Sequence, residues 1–329
     1  MTSFKSVSYS ASRPGPRLIV LGAVHGNEFC GTLAIGQIMA MFDAGELVLD
    51  AGHVTFVPVT NPLAYAKKTR AGDRNLNRGL QRTDAPREFE DRVANWLCPL
   101  LASHDVLLDL HSFQGEGEPF VFIGPENNQG EIEPFRHADV EEALALRLGV
   151  DRCVSGWLST YAAGVEHRRR TANLAQASDA STDVRYGIGT TEYMRSVGGW
   201  GVTLECGQHN DPLAVDVGRT AVLNSLTHLG LVSGARPQPT PHMQTLELCE
   251  VVDRRDAGDA FARGWRSFES LQRGEVIAIR ADGSRVLAPF DGFIVFPSAT
   301  AEVGTEWFYL AKPSDRLTRL DPSGPASMS

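Results

Sequence analysis

The sequence predicts an α/β protein: a doubly wound mixed sheet with helices on both faces, followed by a small all-β part. Three observations carry that prediction. Short apolar runs alternate with segments of helical spacing through the first 238 residues, the pattern of strands and helices laid down in turn. Those runs are continuous rather than alternately polar, as in strands buried on both faces. Beyond the proline-rich link "GARPQPTP" (234–241) the helical spacing stops, and brief apolar runs separated by turn residues take over.

In chain order, "RLIVLGAV" (17–24) reads as a buried strand and "FCGTLAIGQIMAMF" (29–42) as the helix that follows it. "HVTFVPVTNP" (53–62) reads as a second strand stopped by an Asn-Pro turn. "REFEDRVANWLCPLLAS" (87–103) has the spacing of an amphipathic helix, and "DVLLDLH" (105–111) is a third buried strand. A helix is expected over "IEPFRHADVEEALALRLG" (132–149) and a strand over "GGWGVTLECG" (198–207). In the C-terminal part, "LELCEVVD", "EVIAIRADGSRVLAPFDGFIVFP" and "EWFYLAKP" read as hairpin strands, with Asp282-Gly283 and Asp291-Gly292 as turns. The division expected is residues 1–238 as the catalytic part and 239–329 as a β domain serving as lid or interface. The last stretch, "DRLTRLDPSGPASMS", reads as frayed.

Composition removes several classes of function. A net charge of -9 leaves no basic surplus for a nucleic-acid surface. No run approaches the roughly 18 apolar residues that span a bilayer, so no membrane partner is expected. The five cysteines are scattered, odd in number and without a CxxC pair, which reads as reduced thiols in a cytoplasmic protein. The polar start "MTSFKSVSYSASRPGPR" has no apolar core of a secretory leader. A homo-oligomer is left open.

The chemistry concentrates where strands end. In open α/β sheets, ligands bind beyond the carboxyl ends of the strands, and His25, His111 and Glu205 all fall there. His25 and Glu28, three residues apart across a strand-to-helix loop, can reach one cation. Glu28 alternatively satisfies the start of the helix. With His111 added, two nitrogens and one carboxylate oxygen make the ligand set of a catalytic zinc with an open fourth position. Asp109, two residues back on the same strand face, would orient His111 through its other ring nitrogen, or cap a neighbouring backbone. A carboxylate ending a buried strand, as Glu205 does after "WGVTL", is costly unless it is paired or functional. "KKTRAGDRNLNRGL" (67–80) is almost without apolar residues. It is either a solvated loop or a substrate grip, with Arg70 at a carbonyl oxygen and Asn77 and Arg78 on a carboxylate.

His53 and His104 read as solvent-facing groups, His209 as a surface-loop histidine or else a pocket-lining one, and the run "HRRR" (167–170) as a solvated loop or a flexible pocket rim. Cys206 reads as a small packing residue rather than a nucleophile.

"GAVHGNE", "TRAGDRNLNR", "DLHS" and "LECGQ", in this order and spacing, resemble the succinylglutamate desuccinylase/aspartoacylase family. These enzymes are relatives of the zinc carboxypeptidases. The likeness covers about residues 15–235, and the trailing β part resembles the family's C-terminal part. It implies a zinc carboxypeptidase-like sheet and one Zn2+ per chain held by His25, Glu28 and His111. It implies Glu205 as general acid/base, Arg70 as the carbonyl-polarising group, and Asn77 and Arg78 on the substrate's α-carboxylate. Arg195, ten residues before Glu205, is the implied ligand of a second carboxylate, as in aspartoacylase-like members. The sequence departs from aspartoacylases after the glutamate, reading Glu-Cys-Gly-Gln for Glu-Val-Gly-Pro.

The activity expected is hydrolysis of the amide of a small N-acyl amino acid. Zinc brings the pKa of a bound water down to about 7, and Glu205 carries the proton to the leaving nitrogen. A metallocarboxypeptidase would use the same residues on C-terminal peptide bonds. A non-catalytic metal-binding protein would keep the ligands alone.

Overall fold

A computed structural model describes residues 3–171 and 182–317. The first elements are β1 (Val7–Ser10), β2 (Arg17–Leu21), α1 (Cys30–Asp43), β3 (His53–Val57), α2 (Pro62–Lys67), α3 (Phe89–Ala102) and β4 (Val106–Phe113). Then come β5 (Phe120–Phe122), α4 (Ala138–Ala145), β6 (Arg152–Ser155), α5 (Trp157–Thr171), α6 (Thr190–Ser196), β7 (Trp200–Gln208) and α7 (Leu213–His228). The C-terminal strands are β8 (Gln244–Asp253), β9 (Ala260–Phe261), β10 (Ser270–Leu271), β11 (Val276–Ile279), β12 (Arg285–Leu287), β13 (Gly292–Val295) and β14 (Glu306–Pro313).

Eleven strands form one mixed sheet in the order β1-β3-β2-β4-β7-β5-β6-β8-β14-β13-β10. The centre, β3-β2-β4-β7, is parallel. Successive side chains of a strand point to opposite faces, and β2 shows what that does here. Leu18 and Val20 pack with Ala34 and Ile38 of α1, Leu144 of α4 and Val222 of α7. Ile19 and Leu21 pack on the other face with Val93 and Leu97 of α3 and Met194 of α6. All four strand residues are fully buried, and each such side chain contributes about 1.5–3 kcal/mol. Helices therefore cover both faces, as the continuous apolar runs predict.

Several local expectations differ from the structure. Asn61 and Pro62 start α2 rather than closing a turn: Asn61 Oδ1 accepts the Ala64 N–H at 3.2 Å, and Pro62 occupies the first helical turn. The helix expected over 132–149 is confined to α4; ahead of it, Phe135 bridges back to Asn128. The run 167–170 lies in α5. Arg168 there donates to both carboxylate oxygens of Asp253 at 2.8 Å, tying α5 to β8. His104 is buried, between Thr55 Oγ1 and the Leu100 carbonyl.

The described C-terminal residues from 239 onward form strands and turns only, but they do not stand apart. β8 pairs in parallel with β6, and β14, β13 and β10 carry the main sheet outward from it. β12-β11-β9 make a separate three-stranded sheet. Near the end of the described chain, Arg316 donates to Glu142 at 2.7 Å and to the carbonyls of Gly124 and Pro125. Most of the tail expected to be frayed, residues 318–329, lies outside the described residues.

Candidate active site

The loop after β2 is shaped by backbone contact. Ala23 takes a left-handed conformation, φ 48°. Gly26 rests on α2 so closely that a Cβ would lie 1.9 Å from the Ala64 carbonyl carbon, so no side chain fits there. The Glu28 N–H bonds to the His25 carbonyl at 3.2 Å, a turn that brings both side chains to one side. Glu28 thus stands just ahead of α1, which begins at Cys30, rather than in its first helical turn.

His25, Glu28 and His111 meet there, all but fully buried. Glu28 Oε1 lies 2.8 Å from His25 Nδ1, and its Oε2 lies 2.9 Å from His111 Nδ1. One ligand atom from each residue falls within 4.8 Å of the others. The remaining ring nitrogens are held by oxygens: His25 Nε2 is 3.0 Å from Asn75 Oδ1, and His111 Nε2 is 2.9 Å from Asp109 Oδ2. Asp109 is itself fixed by the Thr190 hydroxyl. These contacts leave the two Nδ1 atoms and the carboxylate as the cluster's inward-facing donors, an arrangement in which outer oxygens set the ring orientation of metal-binding histidines.

The electrostatics suit a cation. Burial, with Arg70 nearby, pulls His25 down to about 4, so its lone pair is free at neutral pH. Burial pushes Glu28 up, but His25 and His111 outweigh it and hold the carboxyl well below its usual range. Burial likewise opposes charge on His111, yet Asp109 and Glu28 raise it well above an ordinary histidine. The cluster thus draws positive charge to itself, and a metal ion binding there displaces a proton. The donor set and spacing fit a zinc-type ion.

Glu205 enters from β7, its Cα in register with that of His111 on β4. Its Oε2 is buried without a hydrogen-bond partner, and burial raises the carboxyl to about 8 despite the opposing pull of His111. Arg70, whose side chain is half-exposed, brings Nη1 to 3.3 Å from Glu28 Oε1. Arg78 stacks on Trp157, with its guanidinium carbon 4.7 Å from the ring centre, and donates to the Asn77 carbonyl. Asn77 Oδ1 accepts the Thr190 N–H at 2.9 Å.

The loop carrying Arg70, Asn75, Asn77 and Arg78 has little apolar surface, and a buried carboxylate orders it. Glu90 of α3 is fully buried and accepts from the backbone N–H groups of Gly72, Asp73 and Arg74 and from Asn61 Nδ2. Arg74 adds two bonds to Asp91 and one to the Arg78 carbonyl at 2.9 Å. Sequence reading missed Glu90 and Asn75 because both look like ordinary polar positions.

Arg195 lines the same cavity, and its guanidinium is engaged by protein groups. Nε and Nη2 bond to Glu141 at 3.1 Å, Nη1 bonds to Glu133 at 2.8 Å, and Nη2 also meets the Gly201 carbonyl. Glu192 lies 3.6 Å away. The spacing to Glu205 is as expected, but acidic side chains already occupy the fork.

His25, Arg70, Asn77, Arg78, His111 and Glu205 wall a cavity of about 560 Å³ that Arg195 also borders. Trp157, Phe122 and Phe113 supply apolar wall, and Phe296, Glu306 and Tyr309 reach in from the C-terminal strands. His209 belongs to this wall, not to the surface: its Nδ1 lies 2.8 Å from Ser112 Oγ. Cys206 is buried in the core beneath, as its reading as a packing residue requires.

A mixed α/β sheet bearing a buried His/Glu/His cluster at its strand ends defines an α/β protein with a candidate metal centre. Residues 14–117, about a third of the chain, match the family model described as the succinylglutamate desuccinylase/aspartoacylase catalytic domain. It is the family that the motifs resemble, and "GAVHGNE", "TRAGDRNLNR" and "DLHS" lie within the matched stretch while "LECGQ" lies beyond it. Among solved structures, a succinylglutamate desuccinylase/aspartoacylase from Rhodobacter sphaeroides is 18% identical, with a TM-score of 0.69 over 94% of this chain and 90% of that one. The product-bound ectoine utilization protein EutE from Ruegeria pomeroyi is 18% identical, with a TM-score of 0.68 over 93% and 88%. An aspartoacylase family protein from Mesorhizobium loti is 21% identical, with a TM-score of 0.62 over 95% and 90%. At these identities the shared property is the fold. A comparison with curated proteins found no match. Among the described residues no helix is long and apolar enough to cross a membrane.

Proposed function

We propose that the protein is a zinc-dependent deacylase that hydrolyses the amide bond of small N-acyl amino acids. The observation that carries this reading is the buried His25–Glu28–His111 cluster beside Glu205 in a cavity of small-molecule size. His25 and His111, through Nδ1, and Glu28, through its carboxylate, would hold one Zn2+. When bound, the ion supplies Lewis acidity toward a carbonyl and makes water a better nucleophile at neutral pH.

The chain's own groups do the rest. Glu205 takes a proton from the attacking water and delivers it to the departing nitrogen, its Oε2 being buried beside the cluster without a protein hydrogen-bond partner. Arg70 donates to the carbonyl oxygen as negative charge develops there, and losing such a donor costs roughly 3–4 kcal/mol of transition-state stabilisation. Asn77 and Arg78 hold the α-carboxylate, with Trp157 supporting the guanidinium face.

The C-terminal strands favour a small substrate over a peptide. Phe296, Glu306 and Tyr309 close one side of the cavity, where a carboxypeptidase needs a groove for several residues. We assign residues 1–238 to catalysis and 239–329 to that lid. The unpaired cysteines fit a cytoplasmic setting. The test is release of amine from N-acetyl, N-succinyl and N-formyl amino acids by the zinc-loaded protein. Turnover of peptides alone would overturn the assignment.

A further inference from the structure

Three arginines line the cavity: Arg70, Arg78 and Arg195. They are not equally available. Arg195 Nε, Nη1 and Nη2 all carry hydrogen bonds to Glu141, Glu133 or the Gly201 carbonyl. Its guanidinium is also boxed in. A Cβ on Gly124 would lie 2.3 Å from Nε, and Phe135 covers it at 5.4 Å from the ring centre.

Charge around this group is in acidic surplus, with Glu133, Glu141 and Glu192 against one guanidinium. Glu141 is fully buried and also accepts the Gly124 and Gly201 N–H groups, which keeps it in place. Burial, reinforced by Glu192 and Glu141 against the pull of Arg195, lifts Glu133 to about 7. Even with Glu133 neutral, two carboxylates face one cation. Arg78, by contrast, donates to the Asn77 carbonyl and stacks on the face of Trp157. Glu306 also lines the cavity, with Oε1 3.9 Å from Arg168 Nη2.

We propose that Glu133, Glu141 and Glu192 hold Arg195 as an internal counter-ion and thereby restrict the enzyme to N-acyl amino acids bearing a single carboxylate, the α one. An aspartyl or glutamyl side chain, or a succinyl group, places a second carboxylate in a cavity whose remaining uncommitted fork is already used. Uncharged and cationic side chains meet no such repulsion, so selectivity arises from built-in rejection. This rests on the deacylase reading above.

The experiment compares kcat/KM of the zinc-loaded protein on N-acetyl-L-alanine, N-acetyl-L-lysine, N-acetyl-L-aspartate and N-succinyl-L-glutamate. The expected result is at least a tenfold preference for the first two. Glu133→Gln, which removes the negative charge beside Nη1 of Arg195, and Glu133→Ala, which removes the acceptor as well, are expected to shift the aspartate-to-alanine ratio at least tenfold toward aspartate. A wild-type preference for the dicarboxylates overturns the proposal, as does an unchanged ratio in folded variants. Should the variants fail to fold, the wild-type preference alone decides. No turnover of any member would instead overturn the deacylase reading itself.

Discussion

His111 and Glu205 are register partners on adjacent parallel strands, β4 and β7. A ligand-type imidazole and an underpartnered carboxylate are therefore fixed relative to each other by sheet hydrogen bonds, not by loops. This arrangement predicts a clean separation of functions. Glu205→Ala is expected to lower kcat by at least about 10²-fold while retaining bound zinc, measured by elemental analysis beside the rate assay. A variant that lost the metal would contradict a role confined to proton transfer.

Removing the ligands should do the reverse. His25→Ala and His111→Ala are each expected to drop zinc content well below one per chain after dialysis. Asp109→Asn and Asn75→Ala leave the ligands in place and disturb their orientation. Their zinc affinity should fall about 10–100-fold, read by competition with a chelator.

Glu90 holds no ligand, yet it accepts from three consecutive backbone N–H groups of the loop that carries Arg70 and Arg78. Glu90→Ala removes the acceptor of those part-buried donors and of the buried Asn61 Nδ2, with an expected cost on the order of 3 kcal/mol. The companion effect is a raised KM for acyl amino acids with zinc content unchanged. A variant with wild-type thermal stability would show that the loop does not depend on this carboxylate.

Gly26→Ala places a methyl carbon into the backbone of α2. Loop or helix must shift, at a cost on the order of 3 kcal/mol, and His25 moves with the loop. Loss of both stability and zinc is the expected pair of outcomes from melting curves and metal analysis.

Stability should also depend on pH through Glu133. Its folded pKa, about 7, lies above the ordinary carboxyl value of 4.5, so the folded state binds this proton more tightly than the unfolded one. That contribution is fully present below about pH 4.5 and is lost as pH rises through about 7. Glu133→Gln is expected to flatten the fall in melting temperature across this window. An unaltered slope would mean that Glu133 is ionised throughout.

The central strands β2, β3 and β4 were legible because burial on both faces writes an unbroken apolar run. β5 and β6 were not, since three or four residues carry too little periodicity to stand out. His25, Glu28, His111 and Glu205 could be picked out as polar residues interrupting such runs at their carboxyl ends. Asn75, Glu90 and His209 could not, because their meaning lies in contacts across the fold. Arg195 shows the limit most clearly. Its distance from Glu205 matched the family pattern, but its partners Glu133 and Glu141 lie 62 and 54 residues earlier in the chain, invisible to any local motif.

The parallel seam between β6 and β8 governs what happens when the chain is cut. A fragment stopping at residue 238 would bare a row of unmatched amides along β6, a template for sticking to other molecules, and would uncap the pocket at the same stroke. Shortened versions of this polypeptide should therefore precipitate rather than persist as smaller, looser catalysts.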